Sequence, residues 1–347
     1  MSKTEIDNII RLFLAQAISQ ESKEVVSGAA EHFGVSRQTI HKHLAKMVSE
    51  GILEVAGKTS GRTYSLKTLA SIDAHFQISE QPPEDKVWRE FFAPQLSGLR
   101  DNIRSICNYG FTEMFNNAID HSAGAAITTG LRLTYARASL YVTDNGIGIF
   151  KKIKDGLNLA DEREAILELA KGKVTTDPAA HTGEGIFFTS RMFDSFSLIA
   201  NELFFSHVAS GDDWLIETHP RATQGTIVEM AISSMTARTS DDVLSQYSSN
   251  GVVPSFDKTH VPVKLLLVGG ENLVSRSQAK RLLVRFARFK EIMLDFEGVN
   301  HIGQAFADEI FRVYKKQNPN ISIKTIRAND DVKAMIEWVS RQGKSPE

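Results

Sequence analysis

Four short polar or glycine-bearing segments, set among apolar runs from Phe111 to Met230, restrict the fold of this chain more than its composition does. In FTEMFNNAIDHS (Phe111–Ser122), Glu113 and Asn117 stand four residues apart, so on a helix both leave one face and could address one ligand. The alternating run LTYARASLYV predicts a strand, which ends in TDNGIGI, where Asp144 precedes the flexible positions Gly146 and Gly148. HTGEGIFFTSRMFD puts Gly183 and Gly185 just before an apolar helical run, and QGTIVEM puts Gly225 and Thr226 at the start of a late strand. An acid and an amide at helical spacing are by default a surface pair. Three further segments following in order change that reading.

The order resembles the GHKL ATP-binding fold (the Bergerat fold, an α/β sandwich) shared by gyrase, sensor histidine kinases and MutL, over residues 84–236. Within that family it is most similar to the anti-sigma-factor serine kinases, whose first box has the Glu, Asn, Ala and nearby His seen from Glu113 to His121. The resemblance implies ATP and Mg²⁺ as cofactors. Asn117 would offer a carbonyl oxygen to Mg²⁺. Glu113 would polarise a water or hydroxyl for attack on the terminal phosphate. Asp144 would accept a hydrogen bond from the adenine amino group, disfavouring guanine. Gly146 and Gly148 would admit the base and sugar, Gly183 and Gly185 would aim main-chain N–H groups at phosphate, and Thr226, after Gly225, would support the adenine end. A lid is expected over about 150–182, with helices at Lys151–Leu157 and Asp161–Lys171, and Lys151, Lys152, Lys171, Lys173 and His181 are candidates for sensing the terminal phosphate. His121 reads as a structural hydrogen-bonding residue and Cys107 as a small buried apolar one.

Residues 1–68 predict a helix with Ile6, Ile9, Ile10, Phe13, Leu14 and Ala17 facing a core, a second over Val25–His32, a turn at Gly34, and a third over Arg37–Ser49 capped by Ser36. The strands Gly51–Val55 and Thr63–Leu66 follow around a polar loop. This pattern resembles the winged helix-turn-helix DNA-binding family. From Ser36 to Lys67 six basic residues (Arg37, Lys42, Lys46, Lys58, Arg62, Lys67) face two acids (Glu50, Glu54), a local +4 on a chain whose net charge is -2. Arg37, Gln38, Thr39, His41, Lys42, Lys58 and Arg62 are the candidate DNA contacts. Winged helices also serve as protein-docking modules, and that alternative stays open. Residues 69–83, ending in Pro82 and Pro83, read as a linker.

From 256 to 347 strands are predicted at Lys264–Gly269, Glu291–Phe296 and Ile321–Ile326, with a basic helix over Ser275–Phe289 and helices over 303–314 and 330–341. This small α/β domain resembles the STAS domains of anti-sigma-factor antagonists, of a type often fused behind GHKL domains. Phosphoswitch members carry a serine near the start of the helix after the Asp-led strand. Here Gly303, Gln304 and Ala305 stand there, so phosphorylation in cis is disfavoured. Asp308 and Glu309 are candidates for a domain contact.

The fold class is therefore a multidomain α/β chain of three units, in keeping with 347 residues. One cysteine, no long apolar tract and an acidic start predict a cytoplasmic chain with no membrane partner. The expected function is an ATP-responsive, DNA-binding transcriptional regulator, with slow hydrolysis allowed and control passing through the STAS-like domain. Double-stranded DNA is the expected partner, and a homodimer is consistent with it. The alternatives are a serine/threonine kinase acting in trans on a STAS-type or sigma-pathway protein, and a docking role in a non-transcriptional assembly.

Overall fold

The structure, a computed structural model, describes residues 3–20, 24–57, 62–174, 183–208, 214–217, 223–249, 255–267 and 272–342. The architecture is mixed α/β, with a seven-stranded, a three-stranded and a two-stranded sheet among those residues.

Helices α1 (Lys3–Ser19), α2 (Val25–Phe33) and α3 (Arg37–Ser49) precede a hairpin of β1 (Leu53–Ala56) and β2 (Thr63–Leu66). Gly34, at φ 63°, turns the chain left-handed after α2, and Ser36 Oγ accepts the Thr39 amide at 3.2 Å to start α3. A small core of Ile10, Leu14, Ile18, Ala29, Ile40, Leu44 and Met47 holds the three helices together. The core stripe of α1 begins at Ile10. Ile6 and Ile9, expected inside, are 43% and 37% exposed, because the first turns of α1 project beyond α2 and α3.

Residues 69–83 do not form a linker. Strand β3 (Thr68–Gln77) begins straight after Lys67 and pairs antiparallel with β4 (Ala126–Thr134), with Ala70, Ile72 and Phe76 against the central core. It is an edge strand with Ser71, Asp73, His75 and Gln77 exposed, which dilutes its alternation in the sequence. The proline break is local: Pro83 leads into α4 (Glu84–Val87), continued by a π turn over Trp88–Phe92.

After α5 (Asp101–His121) come β4, β5 (Arg137–Asp144), α6 (Ile149–Leu157), α7 (Glu162–Lys171) and α8 (Gly185–Met192). Strands β6 (Ser195–Asn201), β7 (Leu203–Val208), β8 (Trp214–Glu217) and β9 (Thr223–Ser233) complete a sheet ordered β3-β4-β5-β9-β6-β7-β8, every adjacent pair antiparallel. Alternate residues (Ile127, Leu131; Ala138, Leu140, Val142; Phe196, Leu198) are buried, and α5 and α8 pack against the sheet and each other.

Helix α9 (Ser240–Gln246) leads to the C-terminal unit, a parallel sheet of β10 (Lys258–Pro262), β11 (Glu291–Asp295) and β12 (Ser322–Ile326). The strand expected at Lys264–Gly269 lies one segment too late. Pro262 ends β10, and Val263–Leu266 curl into a 3-10 turn whose Leu265 and Leu266 are buried without joining a ladder. Helix α10 (Arg276–Leu283) stops short of Phe289 because Arg285 adopts φ 65° before a 3-10 turn over Phe286–Arg288. Helix α11 (Gln304–Asp308) runs through a π turn (Glu309–Tyr314) into α12 (Lys315–Gln317), and α13 (Asp330–Gln342) closes the unit. One continuous apolar core joins the central and C-terminal units.

Gly110, inside α5, marks where helix meets sheet. An added Cβ would lie 2.4 Å from the Phe193 ring and 3.2 Å from Met230 Sδ. Glycine-to-alanine in a helix interior ordinarily stabilises by about 1 kcal/mol. Gly110→Ala is expected to do the reverse, by about 1–3 kcal/mol of overpacking, read as a lower midpoint in thermal unfolding.

Candidate functional site

Helix α5, the end of β5, the start of β9, the first turns of α6 and α8 and the end of α7 enclose a cavity of about 340 Å³. Its walls include Glu113, Asn117, Asp144, Gly148, Gly183, Gly185 and Thr226, seven of the nine central residues singled out from the sequence. Gly146 and Gly225 lie behind the wall. A Cβ on Gly146 would meet the Ser122 carbonyl at 2.0 Å, and one on Gly225, at φ 84°, would meet the Asp144 carbonyl at 2.0 Å. Both glycines let backbone pass backbone, so they shape the cavity without facing it.

Pairing of β5 with β9 sets Thr143 opposite Ile227, which leaves Asp144 beside Thr226 at the mouth. Asp144 is 6% exposed, and its Oδ1 accepts the amides of Gly146 (2.8 Å) and Thr226 (3.3 Å). Burial raises its carboxyl above the ordinary range, and the Gly146 and Thr226 hydrogen bonds partly offset that. Thr226 Oγ1 accepts the Ile149 amide at 3.0 Å and so ties the start of α6 to β9. On α8, a Cβ on Gly185 would lie 2.0 Å from Glu113 Oε2, so only glycine lets the α8 N-terminus sit this close to that carboxylate. The side chain of the N-cap residue Glu184 makes no capping hydrogen bond to α8. Burial also raises the Glu184 carboxyl, with Lys173 opposing, and pushes the Tyr109 phenol above its usual range, helped by Glu113 and Glu184. Asn116, Asp120 and Ser122 line the cavity and were missed. Asn116 and Asp120 share the α5 surface with Asn117, a signal present in NNAID. Cys107 is buried and its thiol is pushed up to about 12 by burial, as an inert core residue should be.

The lid cations divide. Lys152 lines the cavity, Lys151 pairs with Asp155 at 3.0 Å on the surface, and His181 lies outside the described residues. Lys171 and Lys173, expected to face phosphate, turn the other way. Lys171 is fully buried against Glu168 at 2.5 Å and donates to the carbonyls of Arg281 (3.1 Å) and Val284 (3.2 Å). Lys173 donates to the Arg288 carbonyl at 3.2 Å and lies over the rings of Phe256 and Phe289. Both ammonium groups find carbonyl acceptors in the C-terminal unit, which the sequence of the lid alone does not reveal. Asp308 pairs within its own unit, with Arg312 at 2.7 Å.

In the N-terminal unit, Arg37, His41 and Arg62 line one open groove of about 600 Å³ between the start of α2, α3 and β2, together with the acid Glu24. Gln38 and Lys42 are exposed on α3, whereas the Thr39 hydroxyl is engaged by Ser36 at 3.0 Å. Lys58 lies outside the described residues. This unit docks through Tyr135 and Ala136, at the β4–β5 turn, and through Gln16, 3.1 Å from Ser233 Oγ at the end of β9.

A family model described as a STAS-like domain of unknown function matches residues 278–333, so the chain carries a STAS-like domain at its C-terminal end. No curated protein matches the chain. Among the described residues, no helix is long and apolar enough to cross a membrane.

Lys171 supplies a pH test of its burial. Its ammonium is lowered to about 8 by desolvation, with Glu168 opposing. Below pH 8 folded and unfolded chains are both protonated there and the burial penalty is fully present. Between pH 8 and the unfolded value the unfolded chain binds the extra proton, so folding gains stability as pH rises. The melting temperature of the native chain minus that of Lys171→Met is expected to increase from about pH 7.5 to about pH 9.5. Parallel curves would remove Lys171 from the balance.

Proposed function

We propose that this chain is an ATP-responsive DNA-binding regulator, in which a GHKL domain takes ATP with Mg²⁺ and controls a winged helix-turn-helix. The observation that carries the reading is the convergence of seven motif residues, from four segments far apart in sequence, on one cavity of nucleotide-compatible size.

The lining suits an adenine nucleotide. Asp144 is a buried acceptor at one end, which favours an amino group over a carbonyl on the purine. The glycines of the wall leave room against the backbone, and the α8 N-terminus, which the Glu184 side chain does not cap, offers N–H donors to phosphate. Asn117 supplies an oxygen suited to Mg²⁺, and among the described residues no cluster of three or more His, Cys, Asp or Glu offers a dedicated metal site. The metal would therefore arrive with the phosphates and neutralise their charge there. Glu113, beside Gly185, is the base that would take a proton from an attacking water, and hydrolysis would reset the switch.

Two strands connect this cavity to the N-terminal unit. β5 begins beside Tyr135 and Ala136, in contact with that unit, and ends at Asp144, while β9 begins near Thr226 and ends at Ser233, in contact with Gln16. These contacts support a route along the sheet from the cavity to the helix-hairpin unit, beside the expected route through the STAS-like domain. Arg37, His41 and Arg62 around one groove, beside exposed Gln38 and Lys42, fit a duplex whose phosphates are neutralised locally by an otherwise acidic-leaning chain.

Asp144→Asn is expected to weaken ATP binding by at least about tenfold in calorimetry, the scale of one buried charged hydrogen bond; unchanged affinity would reject the adenine assignment. Glu113→Ala is expected to keep nucleotide and lose phosphate release, and undiminished turnover would exclude Glu113 as the base. Alanine at Arg37 or Arg62 is expected to weaken duplex binding across sequences and to lower the salt slope by about one each, so an unchanged slope would favour the docking alternative.

A further inference from the structure

Helix α7 stands between the cavity and the STAS-like end of the chain. Leu169 and, just past the helix, Val174 form part of the cavity wall, and the Val174 amide donates to Gly183 O at 2.9 Å, beside the phosphate-side glycines. The carbonyls at the end of the helix point elsewhere, and each is taken by a side chain of another element. Ala170 O accepts from Arg191 (3.2 Å), Lys171 O from Thr259 (2.7 Å), Gly172 O from Arg285 (2.8 Å), and Lys173 O from Arg285 and Arg288. Three of these four donors belong to the C-terminal unit.

Acidic side chains of α7 are held from the same side. Glu168 Oε2 lies 2.9 Å from Arg285 and Glu164 Oε1 lies 3.2 Å from Arg281. Gly172, at φ 83°, is packed so closely that an added Cβ would be 2.5 Å from the Phe256 ring. A helix normally satisfies its last carbonyls with water or its own following residues. Here guanidinium groups and a hydroxyl from the neighbouring unit cap it, and their positive charge also meets the negative end of the helix dipole. Withdrawal of those donors leaves the carbonyls of Lys171, Gly172 and Lys173 without these partners, and Glu168 with Lys171 of its own helix, at a wall of the cavity.

We propose that the C-terminal unit sets nucleotide affinity by holding α7 at both ends, with Arg285 and Thr259 on its last carbonyls and Arg281 on Glu164 of its first turn, acting as positioning residues that hold the cavity wall in place although none lines the cavity. This rests on the nucleotide reading of the cavity and adds its control. By reciprocity, a filled cavity holds α7 in place and strengthens the grip of the C-terminal unit, while a partner that draws that unit away releases nucleotide.

Calorimetric titration of the full-length protein with ATP and Mg²⁺ tests this. Arg281→Glu, at a half-exposed pair that leaves the buried core intact, is expected to weaken binding by about fivefold or more. Glu164→Arg combined with Arg281→Glu is expected to recover much of the loss, which simple destabilisation does not do. Arg276→Glu makes the same charge change on the same helix at a 65% exposed side chain away from α7, and should bind like the native chain. Thr259→Val, which deletes only the hydroxyl on Lys171 O, is expected to raise the nucleotide dissociation rate. Native affinity in Arg281→Glu, or equal loss in Arg276→Glu, overturns the proposal. Failure of the native chain to bind ATP overturns the nucleotide reading itself and this inference with it.

Discussion

The antiparallel register between β5 and β9 is the constraint from which the site follows. With Thr143 opposite Ile227, Asp144 reaches the Thr226 amide, Thr226 reaches the Ile149 amide, and α6 is fixed at its first residue. A slip of one residue would turn Asp144 to the other face of the sheet and break both links. Gly225 is part of the same constraint, since any side chain there would strike the Asp144 carbonyl. The two strands that hold this register also extend to the contacts of the N-terminal unit, so the element that builds the cavity is the one able to report its state.

Much of the cavity was legible in the sequence because its signals are local. Helical spacing put Glu113 and Asn117 on one face, a strand ending in Asp144 needed glycines to turn, and Gly183 and Gly185 marked a helix start beside them. What could not be read was non-local. Lys171 and Lys173 look like free lid cations until Arg281, Val284, Arg288 and Phe289, over a hundred residues later, are seen to receive them. Strand β3 reads as a linker in the sequence because an edge strand buries only one side, and its polar face hides the alternation of Ala70, Ile72, Ala74 and Phe76. In the C-terminal unit the most apolar run, from Leu265, was mistaken for a strand. The true strand, KTHVP, is short, mixed and ended by proline, and it earns its place in the sheet by pairing with β11.

The seam between the central and C-terminal units combines an apolar core with charged groups that have lost their water. Lys171, Glu168 and Arg285 carry a surplus positive charge into that seam, where Arg285 Nε is buried without a hydrogen-bond partner, so the remaining donors and acceptors must stay matched. It therefore specifies one docking geometry more than it adds stability. A STAS-like domain attached this way is a structural part of the cavity's surroundings, not a loosely tethered module.

The central claim is that the cavity receives an adenine nucleotide. Calorimetric titration of the native full-length chain with ATP, and in parallel with GTP, each with Mg²⁺, tests it most directly. The account requires one site for ATP and markedly weaker heat with GTP. Absence of binding by ATP at millimolar concentration, or equal binding of both, would contradict it.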